Sequence, residues 1–567
     1  MLRGFVFTAL FAAVASAQTA SITGRITDPG GAVVPDATIT AKSGESGVST
    51  STHTNAEGYY TITALPPGKY DVSVTKTGFA PLNETGLQLE VQQVARLDVA
   101  LQLGAVASSV NVSASAGLLD SETATLGQVI ASKQITELPL LGRNPYALAM
   151  LVPGVRPSIG VNNLPIDQIS TVSFAINGQR AANNEFLLDG APNSAPAQNQ
   201  PVINATPDLV QEFKVETNNF SAEYGKSAGG VFNVITRSGG NEFHGNLYEF
   251  FRNTQLNAND FFSNNAGNAR APFKYNQFGG TLGGPVYIPK IYNGRNKTFF
   301  FVSEEHVAFI QGVTFVGTEP TPTLLSGNFS NDRNAAGQLI TIYDPSTTSN
   351  VNGTLTRTPF PGNIIPTSRL NPVALAISKY FPLPTQPGAE YTGVNNYTRV
   401  DANRIGKNSV SYKVDEYFSD SNRFFARYSA DDTPDVRAGA YGSPSVNIAS
   451  PSAGPQTFGR RNSVVEDTQT ISPTWLETIR FSFTRLSNVR RDLEAAGIEH
   501  RARVRKHPRA AANHYTILLR IQRRKVESGD GFRVVNQGHF FLSKGKQSDN
   551  TAMSFTLHVE HQIIWRG

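Results

Sequence analysis

The chain is expected to be mainly β, with an N-terminal Ig-like β-sandwich ahead of long antiparallel strands. Three observations predict this. Turn signals recur about every 8–12 residues across 19–104. Beyond 241, apolar and polar side chains alternate with period two in several stretches. No window of about 18 or more uninterrupted apolar residues occurs, so no transmembrane helix is expected. Composition narrows the class further. Charged residues make up 16% of the 567 and aromatics 10%, with 34 Phe and 18 Tyr. That excludes a disordered polyelectrolyte or a coiled coil. Cysteine is absent, which excludes a disulfide framework and any thiolate nucleophile or metal site.

The chain opens as an export signal. Met1-Leu2-Arg3 is a positive start, Gly4 to Val14 is an apolar run, and Ala15-Ser16-Ala17 is a small-x-small cleavage site. Residues 1–17 are therefore expected to be removed between Ala17 and Gln18, the apolar run being too short to span a bilayer. No Cys follows the site, so no lipid anchor is expected.

Residues 19–104 read as the sandwich. Asp28-Pro29-Gly30-Gly31, Asn55-Ala56-Glu57-Gly58, Leu65-Pro66-Pro67-Gly68 and Thr77-Gly78 punctuate the segment. Between them Tyr70, Val72 and Val74 share one face, and Leu97, Val99, Leu101 and Leu103 another. Seven strands are expected. Tyr59, Tyr60 and Tyr70 are assigned to core packing; the alternative is a sugar-binding platform. Thr54-Asn55-Ala56-Glu57-Gly58-Tyr59-Tyr60 and Leu65-Pro66-Pro67-Gly68-Lys69-Tyr70, with Gly24-Arg25-Ile26-Thr27-Asp28 and Val34-Pro35-Asp36-Ala37 at the opening, resemble the carboxypeptidase regulatory-like domain. That resemblance implies a prealbumin-like sandwich of the carbohydrate-binding-like class and an accessory, non-catalytic module.

Residues 105–117 are small, polar and β-prone, which suits an extended linker. After them come Asn177-Gly178-Gln179-Arg180, Leu187-Leu188-Asp189-Gly190, and the passage from Glu223-Tyr224-Gly225 to Thr236-Arg237-Ser238-Gly239. Together these resemble a TonB-dependent outer-membrane receptor of the Oar-like branch, whose members carry a regulatory-like domain before the plug. The resemblance runs from the signal peptide to about residue 495. It implies that 118–240 form an α+β plug. It also implies that Ser109, Val110, Asn111, Val112 and Ser113 lie where such receptors carry the TonB box, captured by a TonB-type energy-transducing protein. A plain linker is the alternative there. An extended, side-chain-poor strand suits capture by addition to a sheet edge.

Residues 241–495 are expected to form antiparallel strands of an outer-membrane β-barrel, with outer-membrane lipid as a partner. Val410, Tyr412 and Val414 point one way. After Ser419-Asp420-Ser421, Phe424, Ala426 and Tyr428 face out against Arg423, Arg427 and Ser429; two such strands with a short polar turn make a periplasmic hairpin. Ile479, Phe481 and Phe483 alternate with Arg480, Ser482 and Thr484. Phe243, Leu247 and Phe251, and the run Phe299-Phe300-Phe301, fit less regular strands. A soluble sandwich shares the alternation and is the alternative. Segments 310–400 and 432–460, rich in Pro, Asn, Thr and Gly, read as long extracellular loops. Plugged transporter barrels have 22 strands, and at about 10 residues per strand this stretch holds only about seven to nine. Too few strands are present for closure, and an open sheet would leave edge backbone groups unpaired in lipid, so a stable, closed, transporting barrel is not expected from it.

Residues 496–567 differ. From 500 onward there are 13 Lys/Arg against 4 Asp/Glu and six of the nine His, leaving 36 basic and 40 acidic residues for the first 499. Arg501, Arg503, Arg505, Lys506, Arg509, Arg520, Arg523, Arg524 and Lys525 follow with no acid before Glu527. The segment is expected to be out of frame, making the barrel C-terminally truncated. The alternative is a genuine basic tail on lipopolysaccharide phosphates or nucleic acid. Phe555, Leu557 and Ile563 could add one strand.

No catalytic, cofactor or metal residues are assigned. There is no P-loop and no HExxH. Gly279-Gly280-Thr281-Leu282-Gly283-Gly284 follows no βαβ pattern, and His558-Val559-Glu560-His561 lacks zincin spacing. Asp189 beside Gly190 reads as a turn residue. Before residue 500 only His53, His244 and His306 are available, so no Ser/His/Asp set is proposed. The expected protein is an exported, non-enzymatic receptor of the cell outer membrane that takes up an extracellular ligand, an oligosaccharide being suggested by the accessory domain alone. The alternative is a secreted or surface-attached adhesion protein built on 19–240.

Overall fold

The computed structural model describes residues 19–104, 110–113, 123–159, 172–439 (apart from 196–198, 226, 260, 266, 268 and 380), 454–490 (apart from 473–474), 512–525 and 540–542. Ala17, Gln18, Ser109, Phe555, Leu557 and Ile563 lie outside them, as do most of the basic positions singled out after 500.

The sandwich uses eight strands: β1 (Ala20–Thr27), β2 (Thr38–Ser43), β3 (Ser49–His53), β4 (Tyr59–Leu65), β5 (Gly68–Thr75), β6 (Leu82–Leu89), β7 (Val94–Arg96) and β8 (Val99–Ala100). One sheet runs β4-β1-β7 with β8 also on β1; the other contains β3-β2-β5-β6. The count exceeds seven because Leu97 and Asp98 interrupt the last strand. The Asp98 Oδ1 accepts the Arg25 N–H at 2.8 Å, where a ladder carbonyl would otherwise sit. Gly24 permits the approach: a Cβ there would lie 1.9 Å from the Leu97 carbonyl oxygen. Alternation puts Ile22, Ile26, Ile39, Val72, Val74 and Leu101 in one core. Tyr60 and Tyr70 are buried, and their hydroxyls donate to the carbonyls of Leu97 (2.8 Å) and Pro66 (2.9 Å). Two expectations fail here. Tyr59 is exposed, with the Arg25 guanidinium 5.3 Å above its ring, because neighbours on a strand face opposite ways. Leu103 is 73% exposed, at an isolated antiparallel bridge to Phe79.

Strand β9 (Val110–Ser113) adds parallel to β6. A middle unit follows: β10 (Leu126–Ile130), α1 (Ser132–Glu137), β11 (Val155–Ile159), β12 (Ser173–Ile176), β13 (Glu185–Leu188), β14 (Ala191–Pro192), β15 (Val210–Asn218) and β16 (Val231–Thr236). Its main sheet has the order β10-β15-β16-β13-β14, and β11 pairs with β12. Tyr146, Phe174, Phe186, Phe213 and Phe232 fill its core. Phe186 stacks on Phe232 at 4.5 Å and meets Tyr146 edge-on at 5.7 Å, arrangements that add to plain burial.

The third unit is one long antiparallel sheet. Its strands are β17 (His244–Asn253), β18 (Phe273–Pro285), a small hairpin β19 (Tyr287–Ile288) and β20 (Tyr292–Asn293), β21 (Thr298–Gly317), a second small hairpin β22 (Ser349–Val351) and β23 (Thr354–Thr356), β24 (Tyr397–Ser419), β25 (Asn422–Arg437), β26 (Gly454–Ser472), β27 (Trp475–Arg490), β28 (Ala512–Lys525) and β29 (Phe540–Leu542). Among the described residues its order is β17-β18-β21-β24-β25-β26-β27-β28-β29, with β17 and β29 as edges, so the barrel is not closed. The sheet thus reaches into the basic segment: β28 pairs with β27 from Trp475↔Lys525 to Asn488↔Ala512.

The alternation falls as read. Tyr412, Val414, Tyr428, Ile479 and Phe481 are exposed, while Ser411, Lys413, Arg427, Ser429, Arg480 and Ser482 are buried. In β21 Phe299, Phe301, Ser303, Glu305, Val307 and Phe309 are buried, and their neighbours face outward. The strands run further than the loop boundaries expected at 310–400 and 432–460. Pairing of β21 with β24 continues to Gly317↔Tyr397, and of β25 with β26 to Arg437↔Gly454. Backbone pairing needs no apolar side chains, so Pro-, Asn- and Thr-rich composition did not mark where the ladder stops. The glycine run 279–284 lies within β18, paired on both sides as far as Gly283.

Candidate functional site

The middle unit meets the buried face of the long sheet through Leu187-Leu188-Asp189-Gly190. Asp189 has φ +46, a turn conformation that Asp tolerates better than most residues, so the turn assignment holds. The carboxylate has a further role. It is 1% exposed, and Oδ1 accepts the Thr236 N–H at 2.8 Å while Oδ2 accepts the Thr236 hydroxyl at 2.6 Å. From the wall, Arg427 Nε donates to Oδ2 at 2.7 Å, and Lys413 Nζ stands 3.7 Å from Oδ1. Lys413 also donates to the Thr236 carbonyl at 3.1 Å.

Arg427 does more than pair. Its remaining nitrogens donate to the Leu188 carbonyl (3.0 Å), Ser429 Oγ (2.8 Å) and Asn462 Oδ1 (2.5 Å). Asn462 and Thr484 both donate to the Pro192 carbonyl, at 3.0 and 2.6 Å. Arg480 pairs with Glu466 beside Gly190. Strands β24 to β27 thus each contribute an inward polar side chain to the 188–192 turn. Burial by itself would raise the Asp189 carboxyl; Lys413, Arg427 and the Thr236 donors outweigh it and hold the pKa below the usual carboxylate range.

A second contact is built on Arg143. It pairs with Asp208 inside the middle unit, stands 3.7 Å from Glu305 of the wall, and lies 4.1 Å above the Tyr248 ring. Tyr248 and Gln277 donate to Glu305 at 3.1 and 2.8 Å.

The sandwich closes the end of the sheet that carries the short turns. Its Val91 N–H donates to Glu212 of the middle unit, and Gln92 Nε2 donates to the Tyr224 hydroxyl at 2.7 Å. Asn241 donates from its backbone to the Glu45 carbonyl at 3.0 Å and from its side chain to the Ser46 carbonyl at 2.5 Å. Glu212 is pushed up to about 8, chiefly by burial and further by Glu90, against the Val91 N–H and Lys214, which lower it. A cleft lies where the three units meet, lined by Glu45, Tyr70, Asp189, Lys413, Tyr417 and Arg423 among others.

Of the positions singled out in the sequence, Val110–Ser113 form β9, away from the Asp189 cluster. Sequence reasoning placed Arg427 on the inward face but assigned it no partner. The available signal was a charged residue on the side of a strand that cannot face lipid, which must then be paired.

Residues 235–548 match the family described as the outer membrane beta barrel domain, and 21–102 match the carboxypeptidase regulatory-like domain. The TonB-dependent transporter Oar of Myxococcus xanthus is 29% identical over 303 residues, 50% of this chain and 27% of that protein. The chain therefore spans about a quarter of that relative's length. Among solved structures, a mutant ferric enterobactin receptor of Pseudomonas aeruginosa in complex with enterobactin shares 14% identity and a TM-score of 0.39, covering 75% of this chain and 49% of that one. The outer membrane transporter YddB of Escherichia coli shares 11% and 0.40, covering 74% and 47%. With an apolar outer face, a paired polar inner face and more than half its length matched to one family, this chain belongs to the outer membrane beta barrel domain family, is related in sequence to the transporter Oar, and resides in the cell outer membrane.

Proposed function

We propose that the chain works as a TonB-dependent outer-membrane transporter. Residues 118–240 act as the plug, the connection at 318–396 offers ligand contacts outside, and Ser109–Ser113 serve as the handle for a TonB-type protein. The observation that carries this is the buried Asp189–Arg427–Lys413 cluster. The unit meets the lumen wall through charged hydrogen bonds beside small apolar contacts, Phe301 with its core and Phe425 and Val464 with Ala191, so much of the surface uncovered on displacement is polar. An oligosaccharide is the proposed ligand class, on the accessory domain alone.

Fractionation tests the reading. The protein should appear in the outer-membrane fraction, protected there from extraction by salt. A wholly soluble periplasmic product would overturn it and favour the adhesion role for 19–240.

A further inference from the structure

The sandwich carries an edge that its own eight strands leave open. On one side β6 pairs antiparallel with β5, through Val72↔Glu84, Ser73↔Asn83 and Val74↔Leu82. Its other side would expose a row of N–H and C=O groups, the usual liability of an edge strand. That side is taken by β9 in parallel register: Leu82↔Val110, Asn83↔Asn111, Glu84↔Val112 and Thr85↔Ser113. At Gly86, φ +75, the pairing with β5 shifts register and the glycine N–H donates to Asp71 Oδ1 at 3.0 Å; beyond it β6 stays paired with β5 as far as Leu89. Four parallel pairs with Val110–Ser113 lie among the described residues. The sandwich is itself anchored, through Gln92 to the middle unit and through Ser46 to the start of the long sheet.

We propose that β6 of the regulatory-like domain is a latch for Val110–Ser113, and that a TonB-type partner must compete the strand off this edge before it can pull. This rests on the handle assignment made above. Parallel pairing through backbone hydrogen bonds can be exchanged for a partner's strand, and capture by strand addition is the same chemistry in both complexes. The partner's apparent affinity is then set by the unlatched fraction.

The absence of cysteine makes the test clean, because any disulfide reports the introduced pair. Full-length protein carrying Asn83→Cys and Asn111→Cys is oxidised in the outer membrane, beside an off-register control carrying Gln88→Cys and Asn111→Cys. The register pair should crosslink and the control should not; equal crosslinking in both, or none in either, overturns the pairing. Binding of a purified TonB-type periplasmic domain is then measured. It should fall by about tenfold or more on oxidation of the register pair and return with reductant. Unchanged binding by the crosslinked protein overturns the latch while leaving the handle intact. If the reduced and unsubstituted proteins both fail to bind, the handle assignment falls instead, whatever the crosslink shows.

Discussion

At the scale of single residues, Asp189 carries the largest electrostatic consequence. It is the shared acceptor for Thr236, Arg427 and Lys413. Asp189→Ala leaves two buried cations without their partner, which costs about 3–5 kcal/mol in other buried pairs. We expect earlier urea-induced loss of protease protection across 123–236. Arg427→Leu made in addition should be less damaging than the two single changes summed, with a coupling above about 1 kcal/mol. Additive effects would show that the pair is not coupled. Asp189 stabilises the docked unit at neutral pH, and that stabilisation is lost as pH falls through its depressed pKa. Glu212 has the opposite sign. With its carboxyl raised from 4.5 to about 8 by burial, the docked form holds a proton that the undocked form has released. Docking of the sandwich should therefore weaken as pH rises from about 5 to 8 and level off above. Hydrogen exchange at the Val91 amide reads this directly, and Glu212→Gln should flatten the profile.

At the scale of elements, the two faces of each long strand answer to different solvents. Phe481 is exposed on β27 while Arg480 and Ser482, its neighbours, are buried. Phe481→Arg puts a cation on the lipid face, at about 2–4 kcal/mol near the midplane. The membrane-inserted fraction should drop in a way that Ser487→Arg, nearer the long connections, does not reproduce. Equal losses from both would argue against lipid contact at Phe481. The period of two made these faces legible without a structure, since a strand offers only two sides. The length of the strands was not legible: the ladder continues past the apolar band on backbone hydrogen bonds, which composition does not record.

At the scale of the whole molecule, three units meet in one cleft. Gly239 is the joint where the chain passes from the middle unit to the sheet. A Cβ there would stand 2.3 Å from the Phe300 carbonyl oxygen and 2.6 Å from that of Gly284, so Gly239→Ala should push the middle unit off its wall. Accelerated proteolysis at residues 237–242, with the sandwich still folded, is the expected readout. Within the described residues β17 and β29 keep one unpaired side each, and Leu247 on β17 is 92% exposed.

The sequence by itself determined the class of each unit. Turn spacing set the sandwich, the dyad alternation set the membrane face, and the clustered motifs between 177 and 239 set the family resemblance, because all three are local patterns. Only the tertiary structure decided which charges meet. Asp189 and Arg427 are 238 residues apart, and nothing local distinguishes a turn aspartate in solvent from one that closes a buried ion cluster. The same holds for β9, whose parallel partner is chosen by the free edge that the folded sandwich happens to present.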